Sequence, residues 1–503
     1  MNTRPQTTLV GMPALASLSF FGAALGLAGV GANMGPAPVA PSFEQERAAS
    51  AAPTRSFFAM QPRCVTDLPG VPMSLCFAPG VPEERVLEIS QKIVDHWAQQ
   101  NADGAAYELN ARWNLNGSST QGTPVVIRWS MPADGLSLPD EIGIGMGTGA
   151  NDLNAKFATK FGSTEAGKNL LRQVFQRWSD LSGITYTEVS DDNGAWGLAG
   201  GATRGDVRIA GRSFGTAGSG ILAYNEFPQD GDMVINTRSN EMAFWTSTNN
   251  NRYFRNIVAH EHGHGMGLLH VCPVSESKLM EPFISTNFDG PQHDDIRGAQ
   301  RHYGDTNEPN DTPATAASVF NVSGNTTVLN QSIDDNADMD YFKFTATAGT
   351  RVTLRATPVG FSSYLTGPQT QACNTGTATN SLSVQNIGLQ LYQGAAGTTL
   401  LVNQNTAAAG TAEEITDYLL TANDTYVLRV FPSTTTDNIQ LYTLTATITP
   451  GRLGDLNGDG VVDGADLGVL LASWGNNPGS PADLNGDGVV DGADLGVLLA
   501  NWG

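Results

Sequence analysis

Four of the chain's seven histidines lie in the eleven residues His260-Glu261-His262-Gly263-His264-Gly265-Met266-Gly267-Leu268-Leu269-His270. On a helix, His260 and His264 stand four positions apart and project from one face, about 40° from each other around the axis. Gly267 lets the backbone leave the helix, because glycine takes positive φ without steric cost, and the bend brings His270 back toward the other two. Three neutral imidazoles with one position left open form the ligand set of a catalytic zinc, not of a closed structural one. Glu261 is placed to take a proton from water on that zinc. His262 stands about 200° from His260 and is expected to face away from the metal as an ordinary packed or surface histidine.

These residues need a scaffold, and the apolar spacing supplies one. The active-site helix should begin near Tyr253 and run through Gly265. A helix from about Ala166 to Leu181 carries Leu170, Leu171, Val174 and Trp178 on one face, and another spans Glu83 to Gln100. Val125–Trp129, Ile184–Thr187, Gly205–Ile209 and Asp232–Asn236 read as strands. Asp294 is in place to cap a last helix through about Tyr303. The expected product is an α+β domain over 107–305: a mixed, twisted sheet of four or five strands on two long helices, closed by a third.

Beyond it the pattern changes. Asn307-Glu308-Pro309-Asn310-Asp311-Thr312-Pro313 is polar and punctuated by proline, so it reads as a linker. From there to about 450, short alternating runs such as Tyr341–Phe344, Val352–Leu354, Tyr426–Val430 and Tyr442–Ile448 are separated by turn residues. Repeated strands without helices predict an all-β sandwich over 306–450.

Residues 451–503 contain a repeat with a 28-residue period. Asp455, Asn457, Asp459, Asp463 and Asp466 occupy positions 1, 3, 5, 9 and 12 of a calcium loop, and Val461 offers its carbonyl at position 7. Gly460 supplies the turn at position 6. The second loop repeats this with Asp483, Asn485, Asp487, Val489, Asp491 and Asp494. Each loop is of the EF-hand type with Asp replacing the final Glu, and a short apolar helix follows but none precedes it. Two bound calcium ions are expected in this small α domain.

With 27 basic against 49 acidic residues the chain has a formal charge of −22, which argues against nucleic acid and suits an exported protein or a calcium binder. Arg4, the apolar run from Leu9 to about Ala32 and the small residues Val30-Gly31-Ala32 predict a secretory signal over 1–32. Residues 33–106 then form a leader or propeptide. No later segment is apolar enough to span a membrane, so the expectation is an extracellular protein, free or attached to a cell surface.

The motif His-Glu-x-x-His-x-x-Gly-x-x-His at 260–270 resembles that of the metzincin metallopeptidases. Leu279-Met280-Glu281-Pro282 looks like their Met-turn, and Asp294–Gly304 is similar to the closing helix of the matrixin branch. The resemblance implies peptide-bond hydrolysis, with one zinc on His260, His264 and His270, and Glu261 as proton carrier. Met280 would pack beneath the histidines and Pro282 would shape the wall of the substrate pocket. Asp294 and Asp295 would buttress the Met-turn, or else serve as helix cap and solvated neighbour. Relatives with a second, structural zinc bind it through histidines in two upstream strands. Leu222–Asn225 and Asp232–Asn236 contain none, so no structural zinc is expected here.

Pro62-Arg63-Cys64 and Asp67 resemble part of the matrixin propeptide switch, in which Cys64 would fill the open zinc position. A Cys64–Cys76 disulfide is the preferred alternative. Cys272 and Cys373 could pair across domains, or Cys272 with the N-terminal region. Asn307–Asp311 and Asp338–Phe342 resemble the bacterial pre-peptidase C-terminal domain, where Asp338 and Asp340 are expected as turn residues with a calcium role as the alternative. The tail resembles a dockerin, which implies a cohesin-like or cell-surface partner. Its positions 10 and 11 hold only Gly464-Ala465 and Gly492-Ala493. The reading is a secreted zinc endopeptidase with accessory domains. The alternative is a non-catalytic surface or scaffold protein that only binds, and an intact Glu261 with all three histidines favours the enzyme.

Overall fold

The computed structural model describes residues 73–97, 109, 111–115, 120–367 and 373–503. The apolar leader, Cys64 and most of the stretch between 98 and 119 lie outside the described residues. All that is described belongs to one compact unit, Gln61–Gly503.

Six strands form the first sheet: β1 (Met73–Phe77), β2 (Val125–Ser130), β3 (Ile184–Glu188), β4 (Val207–Arg212), β5 (Ile221–Glu226) and β6 (Met233–Asn236). Their order is β1-β5-β6-β4-β2-β3. The four strands β6, β4, β2 and β3 run parallel; at one edge β5 runs against them, and β1 pairs antiparallel with β5. Strand β5 contains Leu222–Asn225, which the matrixin resemblance, not the apolar pattern, marks as a strand. Its partner β1 comes from far upstream and pairs Leu75 with Tyr224 and Cys76 with Ala223.

The helices described before residue 310 are α1 (Glu83–Trp97), α2 (Leu153–Phe161), α3 (Thr164–Ser179), α4 (Arg252–Gly265) and α5 (His293–Tyr303). Helices α3, α4 and α5 match the expected elements within two residues at each end. The additional α2 buries only Leu153 and Phe157, too little apolar repetition to stand out in the sequence. Its Phe157 ring fills the space beside Gly167 of α3, where a Cβ would lie 2.1 Å from it. Trp178, fully buried, donates its indole N–H to the Ala259 carbonyl of α4 at 3.2 Å and so ties the two long helices together.

Ten further strands follow: β7 (Gly324–Ile333), β8 (Asp340–Ala346), β9 (Arg351–Pro358), β10 (Tyr364–Thr366), β11 (Thr377–Thr379), β12 (Ile387–Gln393), β13 (Thr399–Gln404), β14 (Glu413–Leu419), β15 (Asp424–Pro432) and β16 (Gln440–Thr449). Two four-stranded antiparallel sheets, β8-β15-β12-β13 and β14-β9-β16-β7, close over one apolar core. Phe342, Leu389, Leu428 and Val430 come from the first sheet, and Leu354, Ile415, Leu444 and Ile448 from the second. The small β10–β11 ladder reaches back to the first region. Cys373, beside it, forms a disulfide with Cys272, resolving the alternatives left by the sequence.

The polar stretch 307–313 is not a loose tether. Asn310 is fully buried and its carbonyl accepts the Tyr341 N–H at 2.9 Å. Proline and acidic residues there mark a tight connection, not a free one.

In the tail, α6 (Gly464–Ala472) and α7 (Gly492–Ala500) enclose Val462, Leu470, Val490 and Leu498. Asp455 accepts the N–H groups of Gly458, Asp459 and Gly460, and Asp483 does the same for Gly486, Asp487 and Gly488. The two loops therefore share one internal geometry. Asp463 and Asp491 cap their helices, and Asp466 and Asp494 close the capping boxes, each accepting three backbone N–H groups with both oxygens.

Candidate metal centre

Helix α4 supplies His260 and His264, and the chain then turns sharply. Gly267 has φ +96°, and a Cβ there would stand 2.2 Å from the Ala111 carbonyl oxygen, so both the turn and the packing demand glycine. The carbonyls left without helical partners at this buried end find side-chain donors. Trp113 Nε1 donates to the Gly265 carbonyl at 2.7 Å, and the Tyr303 hydroxyl to that of Met266 at 2.7 Å.

The three rings meet at their Nε2 atoms, 3.0 Å apart for His260 and His270 and 3.1 Å for the other two pairs. A tetrahedral zinc at ~2.0–2.1 Å from three such nitrogens separates them by about 3.3 Å, so the triangle is close to a zinc seat. The tautomers agree with that. His260 Nδ1 lies 2.7 Å from the Leu279 carbonyl and His264 Nδ1 lies 2.8 Å from that of Leu268. A carbonyl only accepts, so both Nδ1 atoms carry the proton and both Nε2 lone pairs face inward. Burial, and then the neighbouring His270 and His260, hold the His264 pKa well below its usual value, which keeps the ring a neutral ligand. The donor set fits zinc.

Glu261 is fully buried beside them. Its Oε1 accepts the Cys76 N–H at 3.2 Å, and Oε2 makes no hydrogen bond. Burial pushes the carboxyl up to about 8, with the thiol and backbone N–H of Cys76 pulling the other way.

A family model described as Matrixin matches residues 155–304. Residues 155–304 are a matrixin domain. A second model, the dockerin type I domain, matches 453–500, so the chain also carries a dockerin domain. Interstitial collagenase of Equus caballus is 30% identical over 139 residues, 28% of this chain and 28% of that protein. Hatching enzyme of Paracentrotus lividus is 31% identical over 160 residues, 29% of this chain and 24% of its own. The chain therefore spans under a third of the length of these relatives. A solved periplasmic inhibitor of g-type lysozyme from Aeromonas hydrophila aligns over 27% of this chain and 95% of its own, with 12% identity and a TM-score of 0.18, too low to bear on the fold.

Within the matrixin domain, Met280 lies under α4, where a Cβ on Gly263 would meet its sulfur at 2.4 Å. Asp295 accepts the N–H groups of Leu279 (2.8 Å), Met280 (3.0 Å) and Gln292 (2.7 Å), so it braces the turn and caps α5 at once. Asp294 does neither. Its oxygens accept the hydroxyls of Tyr364 and Thr366, each at 2.5 Å, and this pairing with β10 corrects the expectation for that residue. His262 turns away from the other histidines. Its Nε2 lies 2.6 Å from the Tyr186 hydroxyl, its ring meets Phe175 edge-on, and burial lowers its pKa to about 3. Pro282 precedes Phe283, whose backbone bridges Phe77 in parallel across from β5.

The cysteines also depart from expectation. Cys76 is a thiol beside Glu261, not half of a Cys64–Cys76 disulfide, and the Cys64 switch lies outside the described residues. Nothing in the local sequence pointed to Cys76, because its neighbour is 185 residues away. In Leu222–Asn225 and Asp232–Asn236, side-chain amides peg neighbouring backbone carbonyls. Asn225 Nδ2 binds the carbonyls of Glu226 and Gly231, and Asn236 Nδ2 those of Gly218 and Ile221.

Proposed function

We propose that the matrixin domain is a zinc endopeptidase of an exported protein. The carrying observation is the triangle of inward-facing Nε2 atoms on His260, His264 and His270 with the buried carboxylate of Glu261 beside it. Zinc, when bound, polarises the scissile carbonyl and acidifies the attacking water. Glu261 Oε2, without another partner, takes the proton of that water and hands it to the leaving amine.

A substrate peptide would add to edge strand β5 as an antiparallel strand, with Phe283 on the opposite wall. Strand β1 now lies along that line, between β5 and the Phe283 bridge, with Cys76 on the catalytic glutamate. Strand β1 thus belongs to the leader expected over 33–106 and covers the cleft until maturation removes it. The two β-sheets beyond 315 act as an accessory sandwich. The EF-hand-like loops hold two calcium ions, and Leu471, Trp474, Leu499 and Trp502, exposed at matching places in the two repeats, face a cohesin-like or cell-surface partner.

Casein hydrolysis by the zinc-loaded chain, before and after limited proteolysis between Trp97 and Leu109, tests this reading. Activity should rise on removal of β1 and vanish when zinc is chelated. A processed, zinc-loaded protein that leaves casein intact overturns the peptidase; equal activity before and after processing overturns the cover.

A further inference from the structure

Where the matrixin domain meets the first strands that follow it, carboxylates gather in a second place. One oxygen from each of Glu308, Asp311 and Asp338 lies within 4.8 Å of the other two. These residues line a cavity of about 190 Å³ together with Asp334, Asp335 and the turn Thr120–Pro124 of the matrixin side. The turn approaches so closely that a Cβ on Gly122 would stand 1.8 Å from Asp334 Oδ2.

Such a cluster alone could be a set of acidic turns, but its buried members are left short of partners. Asp338 is 7% exposed; its Oδ2 accepts the Asp334 N–H at 2.6 Å, while Oδ1, in the cavity wall, makes no hydrogen bond. Asp340, two residues on, is fully buried, and its Oδ1 is likewise orphaned while Oδ2 accepts the Tyr442 hydroxyl at 2.6 Å. Asn310, between Glu308 and Asp311, is fully buried with neither side-chain atom bonded. The arginines nearby answer this charge only in part: Arg301 and Arg112 favour the carboxylate of Asp334. Arg301 donates to the carbonyl of Asp334 and to Asp437, and Arg112 to the carbonyls of Thr120 and Thr123. Buried like charges are unfavourable by several kcal/mol per ion, and orphaned carboxylate oxygens add to that.

We propose that Glu308, Asp311 and Asp338 form a calcium site at the joint between the matrixin domain and the β-sheets. The donors are all hard oxygens, with neither imidazole nor thiolate among them, which selects calcium over zinc. The cavity has room for the waters that complete six to eight ligands. The ion ties the chain leaving α5, which carries Glu308 and Asp311, to the β7–β8 connection that carries Asp338. It thereby fixes the sheets against the matrixin domain. This site is separate from the zinc seat and from the tail loops, and its role is to hold the joint.

The test uses the full chain, stripped of calcium, reloaded with zinc and titrated with calcium alone. Wild type is compared with the Asp311→Asn/Asp338→Asn variant, in which the amide oxygen at 338 can keep the bond from Asp334. The expected result is one fewer calcium per chain by calorimetry and loss of the calcium-dependent rise in Tm of the main transition. The variant should unfold no earlier than wild type without calcium, because a buried charge has been removed. Equal stoichiometry and an equal Tm rise in both proteins would overturn the site. So would an identical Tm rise with magnesium at the same concentration. Glu308→Gln, checked by near-ultraviolet circular dichroism, gives the same readout should the double variant fail to fold.

Discussion

Asp295→Asn probes the connection between the Met-turn and the metal seat. The carboxylate accepts three backbone N–H groups, from Leu279, Met280 and Gln292, at 2.8, 3.0 and 2.7 Å. Leu279 in turn accepts His260 Nδ1 at 2.7 Å, so Asp295 holds the peptide that orients a metal ligand. Asparagine keeps one acceptor oxygen and turns an NH2 group toward backbone donors. At least one charge-assisted bond is lost, worth ~1.5–3 kcal/mol, and a buried N–H is left facing a donor. The expected destabilisation is about 2–4 kcal/mol, read by urea denaturation of the zinc-free chain. Loosening a group that orients a zinc ligand should weaken zinc about 10–100-fold, read by competition with a chromogenic chelator. Hydrolysis at saturating zinc should fall far less than zinc affinity does. Unchanged stability and unchanged zinc affinity would refute the link.

Other perturbations follow from the same geometry. Gly267→Ala places a methyl against the Ala111 carbonyl at positive φ and should cost ~2 kcal/mol or more, with weakened zinc binding, in the same two assays. Cys373→Ser opens a bridge with a sequence separation of 101 and should lower stability by about 2–5 kcal/mol in denaturant, whereas the reduced wild type should match the variant. The calcium-free chain should lose stability as pH rises. Burial and mutual repulsion raise Glu308 to about 9 and Asp334 to about 8, against about 4 in an unfolded chain, so the folded state holds more protons between those values. Tm measured from pH 5 to 9 should fall without calcium and stay flatter with it; a calcium-free Tm that rises would contradict the sign. Chelation should also unfold the tail loops, seen as lost helical circular dichroism.

The chemistry at the centre was legible because it is local. His260, Glu261 and His264 share one helix, and Gly267 and His270 follow within a turn or two, so spacing alone predicts their convergence. The same holds for α3, whose Leu170, Leu171, Val174 and Trp178 repeat at helical period, and for the tail loops, whose Asp and Asn side chains recur at positions 1, 3, 5, 9 and 12 of each loop. What stayed hidden was set by contacts between distant segments. Cys76 lies on Glu261 because β1 pairs with β5, and no periodicity announces a five-residue strand joining an edge. Asp294 looked like a helix cap until Tyr364 and Thr366 came to meet it. The acidic stretch around Pro309 looked like a linker because polar, proline-punctuated sequence is the same whether it is solvated or packed against a second acidic loop.

The central claim, that Glu261 carries the proton in zinc-dependent peptide hydrolysis, is tested most directly by one comparison. Wild type and Glu261→Gln, both freed of β1, are brought to the same measured zinc content and incubated with casein. The account predicts equal zinc in the two proteins, cleavage by wild type and a loss of at least about 100-fold in the variant, the scale of a general acid–base contribution. Equal cleavage by both proteins at equal zinc would contradict it.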